Sequence, residues 1–116
     1  MRLPAVAGQF YPGNAAELKH QLEDMLPRAE EMAVFGGVVP HAGYIYSGSV
    51  AGEVYSRLPE RETYVILGPN HHGLGSPVAL SRDSWRTPLG VVQPDLELAE
   101  DLAGTIINQD EVAHER

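Results

Sequence analysis

Residues 32–73 read MAVFGGVVPHAGYIYSGSVAGEVYSRLPERETYVILGPNHHG, and this stretch decides the predicted fold. The second half of the apolar run 32–39 predicts a buried strand that ends at Pro40. A helical pattern of apolar residues follows Ser47, and Tyr64–Leu67 predicts a second buried strand. Strand, helix and strand within about 30 residues predict a βαβ unit with parallel strands and a right-handed crossover.

Other elements are predicted from their end signals. Residues 4–13 carry turn residues at both ends and predict an ordered loop. Asn14 with Glu17 has the spacing of a capping box, and the helix that it begins should end before Pro27. Asp95 should cap a further helix. Short strands are expected at 77–81, 90–92 and 105–107, the first two in a hairpin-like excursion.

Together these elements predict an α/β fold with a mostly parallel sheet flanked by helices. The chain offers only three or four candidates for parallel strands, about half of a typical open sheet. We therefore expect residues 1–116 to be the N-terminal portion of a single larger domain. The polar stretch after residue 107 is expected to be exposed, with His114 at its surface.

Composition excludes several classes of function. The formal net charge is −8, which argues against nucleic acid and anionic membranes as partners. No apolar run approaches the roughly 20 residues of a membrane span, and no signal peptide is evident, so a cytoplasmic location is expected. Because the chain has no cysteine, its own metal ligands would be nitrogen or oxygen atoms.

Histidines follow both predicted strands, in Pro40-His41-Ala42-Gly43 and in Asn70-His71-His72-Gly73. Parallel neighbours end at the same sheet edge, where open α/β sheets bind ligands. Imidazole is a common ligand of iron, copper and zinc. The sequence therefore predicts that His41 and His72 help to form a metal or substrate site. The alternative is that these histidines only bond to backbone groups at the strand ends.

Three neighbouring residues are candidates for the same pocket. Tyr44 and Tyr46 would point to opposite sides of an extended segment, one to the pocket and one to the core. Asn70 could donate a hydrogen bond to a bound oxygen. His20, on the first predicted helix, is expected to be a solvated side chain.

Three motifs make the chain resemble a known family. PAVAGQFYP at 4–12, PHAGYIYSG at 40–48 and LGPNHHG at 67–73 are similar to motifs of the MEMO family, named for mediator of ErbB2-driven cell motility. Its microbial members are called AmmeMemoRadiSam system protein B. The polar stretch DEVAHE at 110–115 also resembles the family's acidic segment. The resemblance implies a fold like that of class III extradiol dioxygenases, which use non-haem iron.

The resemblance also implies roles for particular residues. His41 and His72 match two metal-ligand positions, and Phe10, Tyr46 and His71 match positions around the same pocket. A further ligand, often cysteine, and an Asp/His pair are expected beyond Arg116, so the rest of its own polypeptide would complete the site. The implied cofactor is a divalent metal ion, with iron favoured over copper or zinc.

Three functions remain open at this point. The first is a metal-dependent oxidoreductase related to the extradiol dioxygenases. The second is a non-enzymatic module that recognises a phosphorylated peptide or a protein partner through the same pocket, as some members are described to do. The third is a role beside a radical SAM protein, which the microbial name suggests.

Overall fold

The computed structural model of the chain describes residues 1–115. The chain divides into two units. We call Val6–Glu62 the helical unit, and Met1–Ala5 together with the chain from Thr63 onward the strand unit. The helical unit carries α1 (Ala15–Met25) and α2 (Tyr44–Tyr55).

Helix α1 begins as its sequence predicts. The side chain of Asn14 accepts hydrogen bonds from the backbone N–H groups of Ala16 and Glu17. These are among the donors that have no partner inside the helix, so the cap satisfies them. The helix ends at Met25, ahead of Pro27. Leu18 lies on the apolar face of this helix and is only 3% exposed.

Helix α2 packs against α1 through small residues. A Cβ atom on Gly52 would collide with the backbone carbonyl of Met25, and one on Gly48 would meet the Met25 thioether. Glycine therefore lets the two helices approach closely. The helix begins at Tyr44, earlier than the predicted start at Ser47, so both tyrosines of the motif are helical.

The strand unit contains short strands and one short α-helix. Strand β1 (Ala79–Leu80) pairs in parallel with β4 (Asn108–Gln109), and β2 (Trp85–Thr87) pairs antiparallel with β3 (Gly90–Val92). Helix α3 (Leu96–Leu102) starts at its predicted cap, where the Asp95 carboxylate accepts from the Leu98 N–H at 2.9 Å. A 3₁₀ helix spans Val112–His114.

The two predicted buried strands are wrong. Residues 33–40 and 64–69 are neither helix nor strand in the structure. Val38 is 95% exposed, and Ile66 and Leu67 are 87% and 91% exposed. A strand exists only when its backbone pairs with a neighbour, and apolar composition alone does not supply that neighbour. The predicted βαβ unit is therefore absent from the described part of the chain.

Two shorter predictions are also corrected. The hairpin joins β2 to β3, whereas the 77–81 segment contributes β1 to the parallel pair. The strand expected at 105–107 is observed at β4 instead. Residues 105–107 form a local turn, because the Thr105 hydroxyl donates to the Leu102 carbonyl and accepts from the Ile107 N–H.

The observed fold is thus mixed, with helices, a small parallel sheet and a hairpin, which is compatible with the α/β class. Within residues 1–115, no helix combines the length and the apolar character that crossing a membrane requires.

Candidate functional site

The loop before α1 is tied to the start of α2. Gly8 turns the chain with φ +81°, and its N–H donates to the Tyr11 carbonyl at 2.7 Å. The Phe10 carbonyl then accepts from the Tyr44 N–H at 2.8 Å. That N–H has no partner within α2, so the loop supplies the helix cap that Gly43 cannot. The predicted ordered loop is confirmed.

A cleft of about 580 Å³ lies at this junction. Residues 8–12 of the loop line it, with Gln21 of α1 and Ala42, Gly43, Ile45 and Tyr46 around the start of α2. Phe10 and Tyr46 give it aromatic walls. Within the described residues, the Gln21 side-chain oxygen is buried without a hydrogen-bond partner.

Tyr44 and Tyr46 have different surroundings. Two residues along a helix rotate by about 200°, so neighbouring tyrosines of this spacing face different sides. The Tyr44 ring packs against the Tyr11 ring, with centroids 5.3 Å apart, whereas Tyr46 lines the cleft and is 81% exposed. Burial raises the pKa of the Tyr44 phenol above its ordinary value, and nearby Tyr11 and Tyr55 add to the rise.

His41 lies in the exposed segment that leads into α2, next in sequence to cleft residue Ala42. The Ala42 carbonyl accepts from the buried Ser47 hydroxyl at 3.0 Å. The backbone beside His41 is therefore joined to the first turn of α2, which fixes the end of the irregular segment 27–43 that carries the histidine.

His71 and His72 lie in the strand unit, on an exposed turn. The Asn70 side-chain amide donates to the Leu74 carbonyl at 2.6 Å, which closes this turn. Gly73 and Gly75 have φ of +64° and +68°, conformations that favour glycine. Asn70 thus shapes the turn that carries the two histidines.

We call Gly75 and Ser76, which end this turn, the foot of the turn. The acidic segment after β4, residues 110–115, binds there. The Asp110 carboxylate accepts from the Ser76 N–H at 2.7 Å and from the Ser76 hydroxyl at 2.8 Å. Hydrogen bonds from the Ser76 hydroxyl and then from its N–H hold the pKa of Asp110 below its usual value. Its second oxygen accepts from the Val112 N–H at 3.0 Å.

Two neighbours of Asp110 make comparable contacts. The Glu111 carboxylate accepts from the Ser81 hydroxyl and from the Arg82 N–H, each at 2.7 Å. The half-buried His114 bonds the Asp110 carbonyl through Nδ1 at 3.0 Å and meets the Trp85 ring edge-on. The expectation of an exposed polar stretch with a surface His114 is therefore confirmed only in part: residues 108, 109, 112 and 115 are exposed, whereas Asp110, Glu111 and His114 are half-buried by contacts that charge composition does not reveal.

Sequence reasoning missed Asp110, Glu111 and Gln21. The acidic motif was noticed only as a resemblance, and nothing local in the sequence pairs it with Ser76 or Ser81. For Gln21 there is no sequence signal, since it is one polar residue on an amphipathic helix.

The donor chemistry partly fits a metal. His41 and His72 are exposed imidazoles in glycine- and proline-containing segments, and imidazole is a common ligand of divalent metal ions. Across residues 1–115, however, no cluster of three histidine, aspartate or glutamate residues could hold an ion. His41 lies in the helical unit and His72 in the strand unit, and each imidazole offers a nitrogen atom of the kind that divalent metals bind.

Comparison with known proteins gives the chain its family. The profile of the Memo-like protein family matches residues 2–116. The chain belongs to this family. A MEMO1 family protein of Methanosarcina acetivorans is 56% identical to it over 116 residues, 98% of this chain and 43% of the relative. The resemblance predicted from the three motifs is confirmed.

Two further relatives show the same coverage. MEMO1 family proteins of Archaeoglobus fulgidus and Aquifex aeolicus are 51% and 50% identical, again over 98% of this chain and 44% of each relative. This Memo-like chain therefore spans less than half the length of the curated relatives that it matches.

Proposed function

We propose that this chain supplies two ligands and a substrate cleft to a Memo-like metal-dependent oxidoreductase with a dioxygenase-like fold. In this proposal it forms the N-terminal part of the catalytic domain. The carrying observation is the pair of histidine motifs that contain glycine and proline, together with the aromatic-walled cleft lined by Ala42, the sequence neighbour of His41. His41 and His72 bind the metal, which is iron in preference to copper or zinc.

When bound, iron would supply redox chemistry at its open coordination positions. The residues of this chain have narrower tasks. Phe10 and Tyr46 hold an apolar or aromatic part of the substrate against the cleft wall. Tyr44 keeps the loop against α2 by its contact with Tyr11. His71 offers a second imidazole on the turn of His72, and Asn70 maintains that turn.

The proposal assigns the remaining ligands to the portion of a Memo-like chain that this chain does not span. A folded protein of 12.6 kDa is expected to expose about 6,200 Å², and two separate domains of half that mass about 7,500 Å² together. The accessible surface here is 8911 Å². The excess exceeds the roughly 800 Å² that one partner contributes to a standard interface, and it supports the proposal that the remaining portion of a Memo-like chain packs on the exposed apolar segments.

The test is metal content of the full-length protein, loaded anaerobically with Fe²⁺ and measured by elemental analysis. We expect near-stoichiometric iron in the wild type and a loss of at least about tenfold in affinity for His41→Ala and His72→Ala. His20→Ala is the matched control, because the His20 side chain is 79% exposed on α1 and lies 3.7 Å from the likewise exposed Asp24 carboxylate. Equal iron in the His41→Ala/His72→Ala double variant and the wild type would reject the metal site.

The same sample separates the oxidoreductase from a binding module. Dioxygen consumption with catechol-type substrates supports a dioxygenase-like reaction. Phosphopeptide binding by calorimetry, with no oxygen uptake, favours the non-enzymatic alternative. A cytoplasmic location and partnership with a radical SAM protein stay predictions.

A further inference from the structure

The turn that carries His71 and His72 is held at both ends by side chains. At its start, the Asn70 amide reaches the Leu74 carbonyl at 2.6 Å. Beyond its end, Ser76 gives both of its donors to one oxygen of Asp110. The second Asp110 oxygen accepts from Val112, so one carboxylate joins the turn to the 3₁₀ helix.

The approach of the two segments is close enough to require glycine. A Cβ atom on Gly75 would lie 2.8 Å from the Asp110 carboxylate and 2.8 Å from the Ala113 backbone nitrogen. The foot of the turn therefore has no space to shift toward the acidic segment. Because only Gly73 and Leu74 separate His72 from Gly75, the position of this foot limits where the His72 ring can lie.

We infer that Asp110 is a positioning residue for His72, holding the histidine turn in the geometry that metal binding needs. This inference rests on the proposed function. Asp110 does not touch the metal: it acts through Ser76 and the backbone of the turn. Charge-assisted hydrogen bonds to a backbone N–H and a hydroxyl suit this task, since they are short and directional.

Asp110 also has a structural contact that does not involve its side chain. Its backbone N–H donates to the Leu80 carbonyl at 3.1 Å and so extends the β1–β4 pairing. The experiment therefore separates a general effect on the fold from an effect on the histidine turn. The chain offers a matched control in Glu111. Its carboxylate also accepts hydrogen bonds from one hydroxyl and one backbone N–H. These donors belong to Ser81 and Arg82, which lie outside the histidine turn. Asp110→Asn and Glu111→Gln therefore remove equivalent charges from adjacent positions.

The experiment uses the full-length protein and Co²⁺ as the probe, whose visible bands report binding. We expect Asp110→Asn to raise the dissociation constant of Co²⁺ about tenfold and Glu111→Gln to change it less than about twofold. Hydrogen exchange of the metal-free protein gives a second readout. Amides of residues 70–76 should exchange at least tenfold faster in Asp110→Asn, and those in Glu111→Gln should match the wild type.

Equal effects of the two variants on Co²⁺ affinity, or no effect of Asp110→Asn, would overturn the inference. Failure of the proposed function has a different signature. In that case His72→Ala binds Co²⁺ as the wild type does, and the positioning role falls with the site, even if exchange shows that Asp110 anchors the turn.

Discussion

Two segments of the strand unit differ in what holds them. Residues 64–67 are apolar, and all four are exposed. Residues 110–114 are polar, yet Asp110, Glu111 and His114 each bond a defined group elsewhere in the unit or within the segment. The comparison indicates that the burial of a segment in this chain depends on which groups lie opposite it. A carboxylate is held by a single N–H or hydroxyl donor, whereas an apolar strand is buried only by a whole facing surface.

The largest expected effect tests the apolar side of this comparison. Leu18→Ala should lower the free energy of unfolding by about 2–3 kcal/mol, because a buried leucine loses its contacts and leaves a cavity. Leu67→Ala should stay within about 0.5 kcal/mol, since the side chain is already in solvent. Urea denaturation followed by circular dichroism measures both.

Comparable losses in the two variants would contradict the exposure of Leu67. The comparison sharpens in a full-length relative such as the Methanosarcina acetivorans protein. There, replacing the residue aligned with Leu67 by alanine should lower the free energy of unfolding by about 2 kcal/mol or more, because the portion that this chain does not span is proposed to cover that side chain.

The next effect tests the polar side, through pH. The folded-state pKa values of Asp110 and Asp95 lie below their usual values, because hydrogen bonds stabilise both carboxylates. The unfolded chain therefore binds more protons near pH 4, and stability falls as the pH drops below the ordinary aspartate value of about 3.9. Urea midpoints measured between pH 2 and pH 6 should show this fall.

Asp110→Asn should lower the midpoint at pH 6 and flatten its acid dependence. Asp24→Asn is the control, since the Asp24 side chain is 71% exposed on α1 and its contact with His20 is long, at 3.7 Å. A wild-type acid profile in Asp110→Asn would show that the contacts with Ser76 do not stabilise the fold.

The smallest expected effect concerns Tyr44 in the helical unit. Its pKa is raised, so above pH 10 the unfolded chain loses the phenol proton first and stability falls with rising pH. Tyr44→Phe should reduce this alkaline fall, which urea midpoints measured above pH 10 report. Tyr46→Phe, at an exposed position of the same helix, is the matched control; equal behaviour of the two variants would contradict the burial of Tyr44.

Local signals predicted local structure well. Asn14 and Asp95 mark the starts of α1 and α3, because a cap depends only on a side chain and the next three backbone groups. The ordered loop at 4–13 is likewise predicted from the turn residues at its two ends. The start of α2 was not, since Tyr44 is capped by the carbonyl of Phe10, more than 30 residues earlier in the chain.

For the candidate site, the sequence by itself determined the residue types and the family. Three motifs indicate the Memo-like family, and they place His41 and His72 in short segments that contain glycine and proline. Only the tertiary structure decided that Asp110 holds the foot of the histidine turn and that the apolar segments stay exposed. The physical reason is that caps and turns act between chain neighbours, whereas strand pairing, burial and carboxylate clasps depend on which distant groups are present to meet them.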